Sequence, residues 1–226
     1  MKYFLAAVPL LLIFTSCKKG TYEEKYNNGL IEYRINYLEN ELTQISPSLL
    51  PKKMKLEFNT DYSTNTIEGF MGFFKLSNHT NFKHKKCTTL LEVLNKKYVF
   101  KGRKGESMCC FDENPDMEIE FTDEVKEIAG LLCKKAIVTL PGQNETFSIY
   151  YTDEISLTKP NSTNPYDQVE GVLMEFQLKL AYLKMQFTAE KFVPSQNNKT
   201  REFTVPDNCL EVNREQMSYI IKRLME

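Results

Sequence analysis

From Gly29 onward the chain alternates apolar and polar residues with a period of two. Ile31, Tyr33, Ile35 and Tyr37 fall on one side, while Glu32, Arg34 and Asn36 fall on the other. That is the pattern of a strand with one buried face. After a loop carrying Pro47 and Pro51, Met54, Leu56 and Phe58 alternate with Lys53, Lys55, Glu57 and Asn59, which predicts a second strand. Ile67 to Leu76 reads as a third, bent or bulged at Gly69 and Gly72. Thr88 to Phe100 fits a short helix through Leu90, Leu91, Val93 and Leu94, or a hairpin returning through Tyr98 and Phe100; strands are the reading adopted. Met117, Ile119 and Phe121 alternate with Glu118 and Glu120, and the run Ile128 to Leu140 is interrupted at Ala129-Gly130. Pro141-Gly142 suits the central pair of a type II turn, with Phe147 to Tyr151 as the returning strand. A loop rich in Pro, Asn and Ser follows over 159–167, and Val172 to Leu180 with Lys184 to Phe192 predict a last hairpin.

The period changes at the end. Met217, Ile220, Ile221, Leu224 and Met225 recur at helical spacing, with Asn213 placed to cap and Gln216 placed to reach back. An amphipathic C-terminal helix should close the open side of the sheet. The expected fold is mainly β with flanking helices (α+β): a curved antiparallel sheet or unclosed β-barrel with this helix against it.

The first residues follow neither period. Lys2 precedes an uncharged apolar run from Tyr3 to Phe14, too short for the roughly 20 residues a membrane-crossing helix needs. It reads as a signal peptide over residues 1–16. Thr15-Ser16-Cys17 resembles a lipobox, although Phe14 stands where Leu is usual. Cys17 is therefore the expected site of lipidation, and two or more acyl chains would hold the protein stably to a membrane. Residues 17–28 then form the lipidated cysteine and a polar tether, and residues 29–226 a single β-rich domain. Lys18 and Lys19 follow the cysteine instead of the Asp that resembles an inner-membrane retention signal. The expected address is the cell envelope, at the outer membrane and facing the periplasm.

Composition narrows the chemistry. With 29 basic and 30 acidic side chains, no global field draws the chain to nucleic acid. Fifteen Phe and twelve Tyr without Trp suit a wide sheet face packed on a helix or a ligand. The chain lacks Gly-x-Ser-x-Gly, His-Glu-x-x-His and a Gly-rich phosphate loop. His79, His84 and Cys87 make an H-x₄-H-x₂-C cluster, but the spacing matches no well-known site, so neither metal nor cofactor is expected. Adjacent carboxylates such as Asp123-Glu124 and Asp153-Glu154 point to opposite faces of a strand and cannot flank one bond. No catalytic residue is assigned and no enzymatic activity is expected.

Beyond Cys17, cysteines stand at 87, 109, 110, 133 and 209. A bond between the neighbours Cys109 and Cys110 would strain the peptide. A bond from one of them to Cys87 or Cys133 therefore stands beside a set of buried reduced thiols as the two readings.

Several segments resemble lipoproteins of Bacteroidota-type bacteria related to the GLPGLI family, whose function is unknown. They are Gly29-Leu-Ile-Glu-Tyr33, Leu50-Pro-Lys-Lys-Met54, Asn95-Lys-Lys-Tyr98, Ile128-Ala-Gly-Leu-Leu-Cys-Lys-Lys-Ala136, Tyr151-Thr-Asp-Glu-Ile155, Glu170-Gly-Val-Leu-Met-Glu175 and Phe203-Thr-Val-Pro206. The resemblance implies an architecture similar to the lipoprotein-carrier (LolA-like) fold, an unclosed barrel around an apolar concavity. On that reading Tyr33, Phe58, Phe73 and Phe176 line a concave face that binds a lipid or the acylated end of a lipoprotein. The alternative is a scaffold or interaction lipoprotein of an envelope complex with a filled core. An open cavity favours the first, and a packed interior with an apolar outer patch favours the second.

Overall fold

The structure, a computed structural model, describes residues 25–42, 45–69, 72–195 and 203–226. The signal peptide and Cys17 lie outside them. Among the described residues the strands are β1 (Gly29–Asn40), β2 (Lys53–Phe58), β3 (Tyr62–Gly69), β4 (Phe74–Asn81), β5 (Lys86–Val93), β6 (Lys96–Lys101), β7 (Glu118–Ile128), β8 (Leu131–Leu140), β9 (Glu145–Thr152), β10 (Val172–Leu180), β11 (Leu183–Pro194) and β12 (Leu210–Glu211). They form one sheet in the order β12-β6-β5-β4-β3-β2-β1-β11-β10-β9-β8-β7. Its two end strands are not joined to each other, so the sheet is unclosed. All neighbours pair antiparallel except β12, which runs parallel to β6, so the sheet is mixed where a purely antiparallel one was expected. The fold is mainly β, with one α-helix, α1 (Arg214–Met225), among the described residues.

Short hairpins build both halves, and their turns place residues at positive φ. Ala129 (φ 52°) and Gly130 (φ 82°) join β7 to β8, the two-residue geometry whose twist matches the flanking strands. Leu94 (φ 53°) and Ala181 (φ 51°) sit in the β5–β6 and β10–β11 turns. Two turn expectations are corrected. The stretch Ile67 to Leu76 is not one bent strand but the end of β3, a turn, and the start of β4. A Cβ on Gly69 would lie 2.6 Å from the Pro51 ring, and Gly72 takes φ 89°, so the two glycines end a strand instead of bending it. Pro141–Gln143 is a 3₁₀ turn in which Asn144 (φ 50°, ψ 41°), not Gly142, carries the left-handed conformation. Four residues, 141–144, separate the paired Leu140 and Glu145, two more than a hairpin closed by Pro141-Gly142 alone, and Asn tolerates the left-handed region.

Residues of β1 alternate as their sequence implies: Ile31, Tyr33 and Ile35 are buried while Arg34 and Asn36 are exposed. Strand β7 does not follow. It ends the sheet, and a register shift between Phe121 and Val125 breaks its pairing with β8. Phe121 and Val125 consequently stay half exposed, whereas the run Met117-Ile119-Phe121 had implied a buried face.

Packing begins before the expected boundary at Gly29. The Tyr26 amide donates to the Glu154 carbonyl at 2.8 Å, and Asn28 is buried. Two long segments then cross the inner face. Residues 102–117 run between β6 and β7, burying Met108, Cys109 and Phe111. The second, 153–171, buries Asn161, Thr163, Tyr166 and Val169. They meet where the Met108 amide donates to the Thr163 carbonyl at 2.7 Å.

Helix α1 starts as its sequence predicts. The Asn213 side chain accepts from the Gln216 amide at 2.8 Å, and the Gln216 side chain accepts from the Asn213 amide at 2.9 Å. Met217, Ile221 and Met225, four residues apart, face the sheet. Ile220 and Leu224, expected in the same stripe, lie to its side; Leu224 is 36% exposed. Asn213→Ala removes one half of the reciprocal cap and is expected to cost about 1 kcal/mol. A drop of roughly 2–4 °C in thermal unfolding checks this.

Candidate functional site

The four residues expected to line a ligand face separate into three environments. Tyr33 (β1) and Phe176 (β10) meet edge to face at 5.8 Å between ring centroids. Phe176 stacks on Phe187 of β11 at 5.1 Å, and Tyr166 approaches it at 6.2 Å. The Tyr33 hydroxyl donates to the Leu173 carbonyl at 2.8 Å, and burial pushes its phenol far above the ordinary range. Phe58 is fully buried but packs elsewhere, stacked with Phe192 at 6.4 Å. Phe73 lies in the β3–β4 turn and is 54% exposed, so it is no part of a concave lining.

Between the aromatic cluster and the crossing segments remains a cavity of about 50 Å³, bordered by Tyr33, Asn78, Met108, Phe111, Asn161 and Phe176, among others. A water occupies about 30 Å³ of liquid, and sites for drug-sized ligands span about 300–1,000 Å³. The space is several-fold smaller than such a ligand site.

The segment that takes up the remaining volume was read from sequence as an ordinary polar loop. Its burial rests on side chains that satisfy backbone groups without water. The Asn161 amide donates to the carbonyls of Val169 and Gly171 at 2.7 and 2.9 Å. Asn164 donates to the Asn161 side chain and accepts from the Tyr166 amide. Thr163 bonds Thr80 of β4 at 2.8 Å, and the Tyr166 hydroxyl donates to the Gln177 carbonyl. The spacing Asn161-x-x-Asn164-x-Tyr166 was the available signal, since Asn side chains closing short turns let a loop go inside.

The histidine and cysteine cluster is not assembled. Thr80 and Cys87 are register partners and both buried, whereas His79 pairs with Thr88 on the other face. His84 is exposed in the turn. His79 Nδ1 lies 3.0 Å from the Thr64 hydroxyl, and its ring stacks on Phe203 at 4.5 Å. Burial lowers its pKa from 6.5 to about 4. Between those values the unfolded chain takes a proton that the folded chain refuses. This contribution is complete above pH 6.5 and is lost as pH falls toward 4. Allowing for partial exposure, the loss is about 1–2 kcal/mol. Urea midpoints at pH 7 and 4.5 should therefore differ less in His79→Gln than in the wild type. An equal difference would show that other groups carry the acid sensitivity.

The cysteines bear out one sequence reading in part and correct the other: Cys87 and Cys133 are buried reduced thiols, and neither is bonded to Cys109 or Cys110. Cys109 and Cys110 are bonded to each other, while Cys87, Cys133 and Cys209 are free. Cys110 takes φ 79°, the left-handed conformation that lets neighbouring side chains meet. Burial raises the free thiols, Cys87 to about 11 and Cys133 to about 12, so both stay protonated and unreactive at neutral pH.

At the far end of the sheet β7 pairs on one side only among the described residues, and it carries five carboxylates and one cation, Lys126. Glu124 is tied to Lys135, and Lys126 to Glu175. Phe121, Val125 and Leu132 are each about half exposed beside them. The pairing of Glu127 with Leu132 and Val125 with Lys134 sets Val125 and Leu132 diagonally on one face.

No protein-family model matches the chain. Nuclear rim protein 1 of Candida glabrata is 30% identical over 108 residues, which are 46% of this chain and 24% of that protein. Two solved structures of PNGF-II, in the C2 and P21 space groups, match with TM-scores of 0.53 and 0.51 at 13% and 15% identity. Each match covers 87% of this chain and about a third of the other (33% and 34%). The chain spans about a quarter of the curated relative and a third of the solved structures, and what the likeness to PNGF-II shows is a shared fold.

Proposed function

We propose that this chain is a membrane-tethered interaction module of a bacterial envelope, non-catalytic, with a filled interior and a protein partner at its β7 edge. One observation carries the reading: the concave face that would hold a lipid is occupied by the chain's own segments, leaving about 50 Å³. The unpaired surface lies at the opposite edge. There, an open strand and half-exposed Phe121, Val125 and Leu132 stand among carboxylates. Unpaired edges accept an added strand through main-chain hydrogen bonds. The acidic charge sets two copies of this edge against each other and favours an extended partner segment bearing Lys or Arg.

The anchor rests on the lipobox-like Thr15-Ser16-Cys17. From Cys17 to the first packed residue, Tyr26, a fully extended chain reaches about 30 Å, which would keep the domain close to an outer membrane facing the periplasm. A fatty-acid analogue should label the wild type and not Cys17→Ser; equal labelling would remove the anchor from the reading.

The edge is tested with a synthetic extended peptide of alternating valine and lysine. Saturable binding is expected, weakened by salt and by the double change Glu118→Lys, Glu120→Lys. Binding that ignores both, or no binding, overturns the interaction reading. Tyr33 and Phe176 do border the small cavity, which keeps lipid carriage as a second reading that needs segment 153–171 to lift. Mass spectrometry of lipids co-purifying with the soluble domain separates the two.

A further inference from the structure

We infer that the Cys109–Cys110 pair is a redox site which accepts electrons from an external dithiol and thereby governs how tightly helix α1 is seated. The pair lies under the first turns of the helix. Cys109 is fully buried, its sulfur 3.8 Å from the Arg214 carbonyl oxygen. The Ser218 hydroxyl donates to the Cys110 sulfur at 3.5 Å. Arg214 grips the same segment, donating to the carbonyls of Ser107 (2.5 Å) and Met108 (3.4 Å) and pairing with Glu106 at 3.1 Å. Helix and disulfide thus share one seat.

Access is one-sided. Cys110 borders an open groove of about 540 Å³, while Cys109 does not. Lys179, Arg214 and Lys222 border that groove against Asp112 and Glu113, so cations outnumber carboxylates where a thiolate would approach. The chain's own nearby thiol does not compete. Cys87 donates to the carbonyls of Glu106 and Ser107 at 3.4 and 3.3 Å, and its raised pKa keeps it protonated.

The exchange then runs in two displacements. One thiolate of the dithiol attacks Cys110 Sγ, forming a mixed disulfide and releasing Cys109 as a thiolate, which takes a proton. The second thiol of the reductant, losing its proton, attacks the mixed disulfide. It closes the reductant's own disulfide and frees Cys110, which is protonated in turn. The protein gains two electrons and two protons. Opening the ring removes the constraint that holds Cys110 at φ 79°, a conformation non-glycine residues leave when free to do so. Its sulfur then moves off Ser218, and the segment under Arg214 shifts with it.

The test uses the intact chain. Peptide mapping without reductant should recover Cys109 linked to Cys110, and dithiothreitol should release both. Amide exchange in α1 is expected to accelerate at least tenfold on reduction, with β1 and β11 unchanged, and to slow again on reoxidation. Cys110→Ser should exchange fast with or without dithiothreitol, and Cys87→Ser should respond as the wild type does. Free thiols at both positions before reduction, a link to another cysteine, or unchanged α1 exchange after the bond is cut would each overturn the proposal. Loss of the response in Cys87→Ser would overturn it as well. None of these outcomes bears on peptide binding at β7, so the two proposals fail separately.

Discussion

Phe187→Ala is expected to destabilise the protein by about 3–5 kcal/mol, a large fraction of the roughly 5–15 kcal/mol that separates a folded domain from its unfolded chain. Phe187 has no exposed surface and sits on β11, opposite Ile35 of β1 on one side and Phe176 of β10 on the other. Truncating it opens a void at the middle of the sheet. The neighbours cannot easily close that void. Phe176 is wedged between Tyr33 and Tyr166, whose hydroxyls are held by the carbonyls of Leu173 and Gln177. Collapse would break one of those buried bonds, so the cost stays near the top of its range. At about 2–4 °C per kcal/mol for a chain of this size, melting should fall by roughly 6–20 °C. Phe73→Ala, at a turn, should change it by no more than about 0.5 kcal/mol in either direction. Urea unfolding of the two variants side by side decides the matter. Near-equal midpoints would mean that the inner face is not packed around Phe187, and the lipid-carrier reading would regain its cavity.

The contrast between those two phenylalanines marks how far the sequence could be read. Alternation located β1 and β2, and β10 with β11 as a hairpin, because each buries one face over most of its length and a period of two records it; β9 was legible as the return from the turn at Pro141-Gly142. It could not tell Phe58 and Phe187, deep in the sheet, from Phe121 on an end strand. A strand's place in the order depends on pairing across distant segments, and β1 finds its neighbours in β2 and in β11, far along the chain. Phe73 misled for a different reason. Gly69 and Gly72 can mark a bulge or a strand end, and only the approach of Pro51 to Gly69 decides between them. The burial of segment 153–171 was hidden because a run of Asn, Ser, Thr and Pro normally signals solvent. Here its side chains supply the hydrogen bonds that water would have given. The Cys109–Cys110 bond runs against the usual spacing of bonded cysteines, and Cys110 beside it takes a positive φ that the sequence does not announce.

Helix α1 was legible in its cap and its period, and a large effect from a single charged substitution on its buried face is expected there. Ile221→Asp should cost several kcal/mol. Ile221 is 1% exposed and borders an apolar gap shared with Leu50, Leu76, Leu183 and Met185. A carboxylate in that gap has two outcomes, and both are expensive. If the helix stays docked, an unpaired charge is buried among aliphatic groups, or a proton must be taken up to neutralise it. If the helix leaves, Met217, Ile221 and Met225 lose burial that contributes about 1.5–3 kcal/mol each before entropy is subtracted. The two are separable by pH. A buried carboxyl with a raised pKa is neutral in acid, so a docked helix would recover part of the lost stability as pH falls from 7 toward 5. An undocked one would recover none. In the undocked case α1 amides exchange fast at every pH while β1 and β11 stay protected, which is also the pattern expected when Cys110→Ser loosens the seat. A melting temperature equal to the wild type's would mean the helix contributes nothing to the fold, and its apolar stripe would then be free for a membrane or a partner to cover.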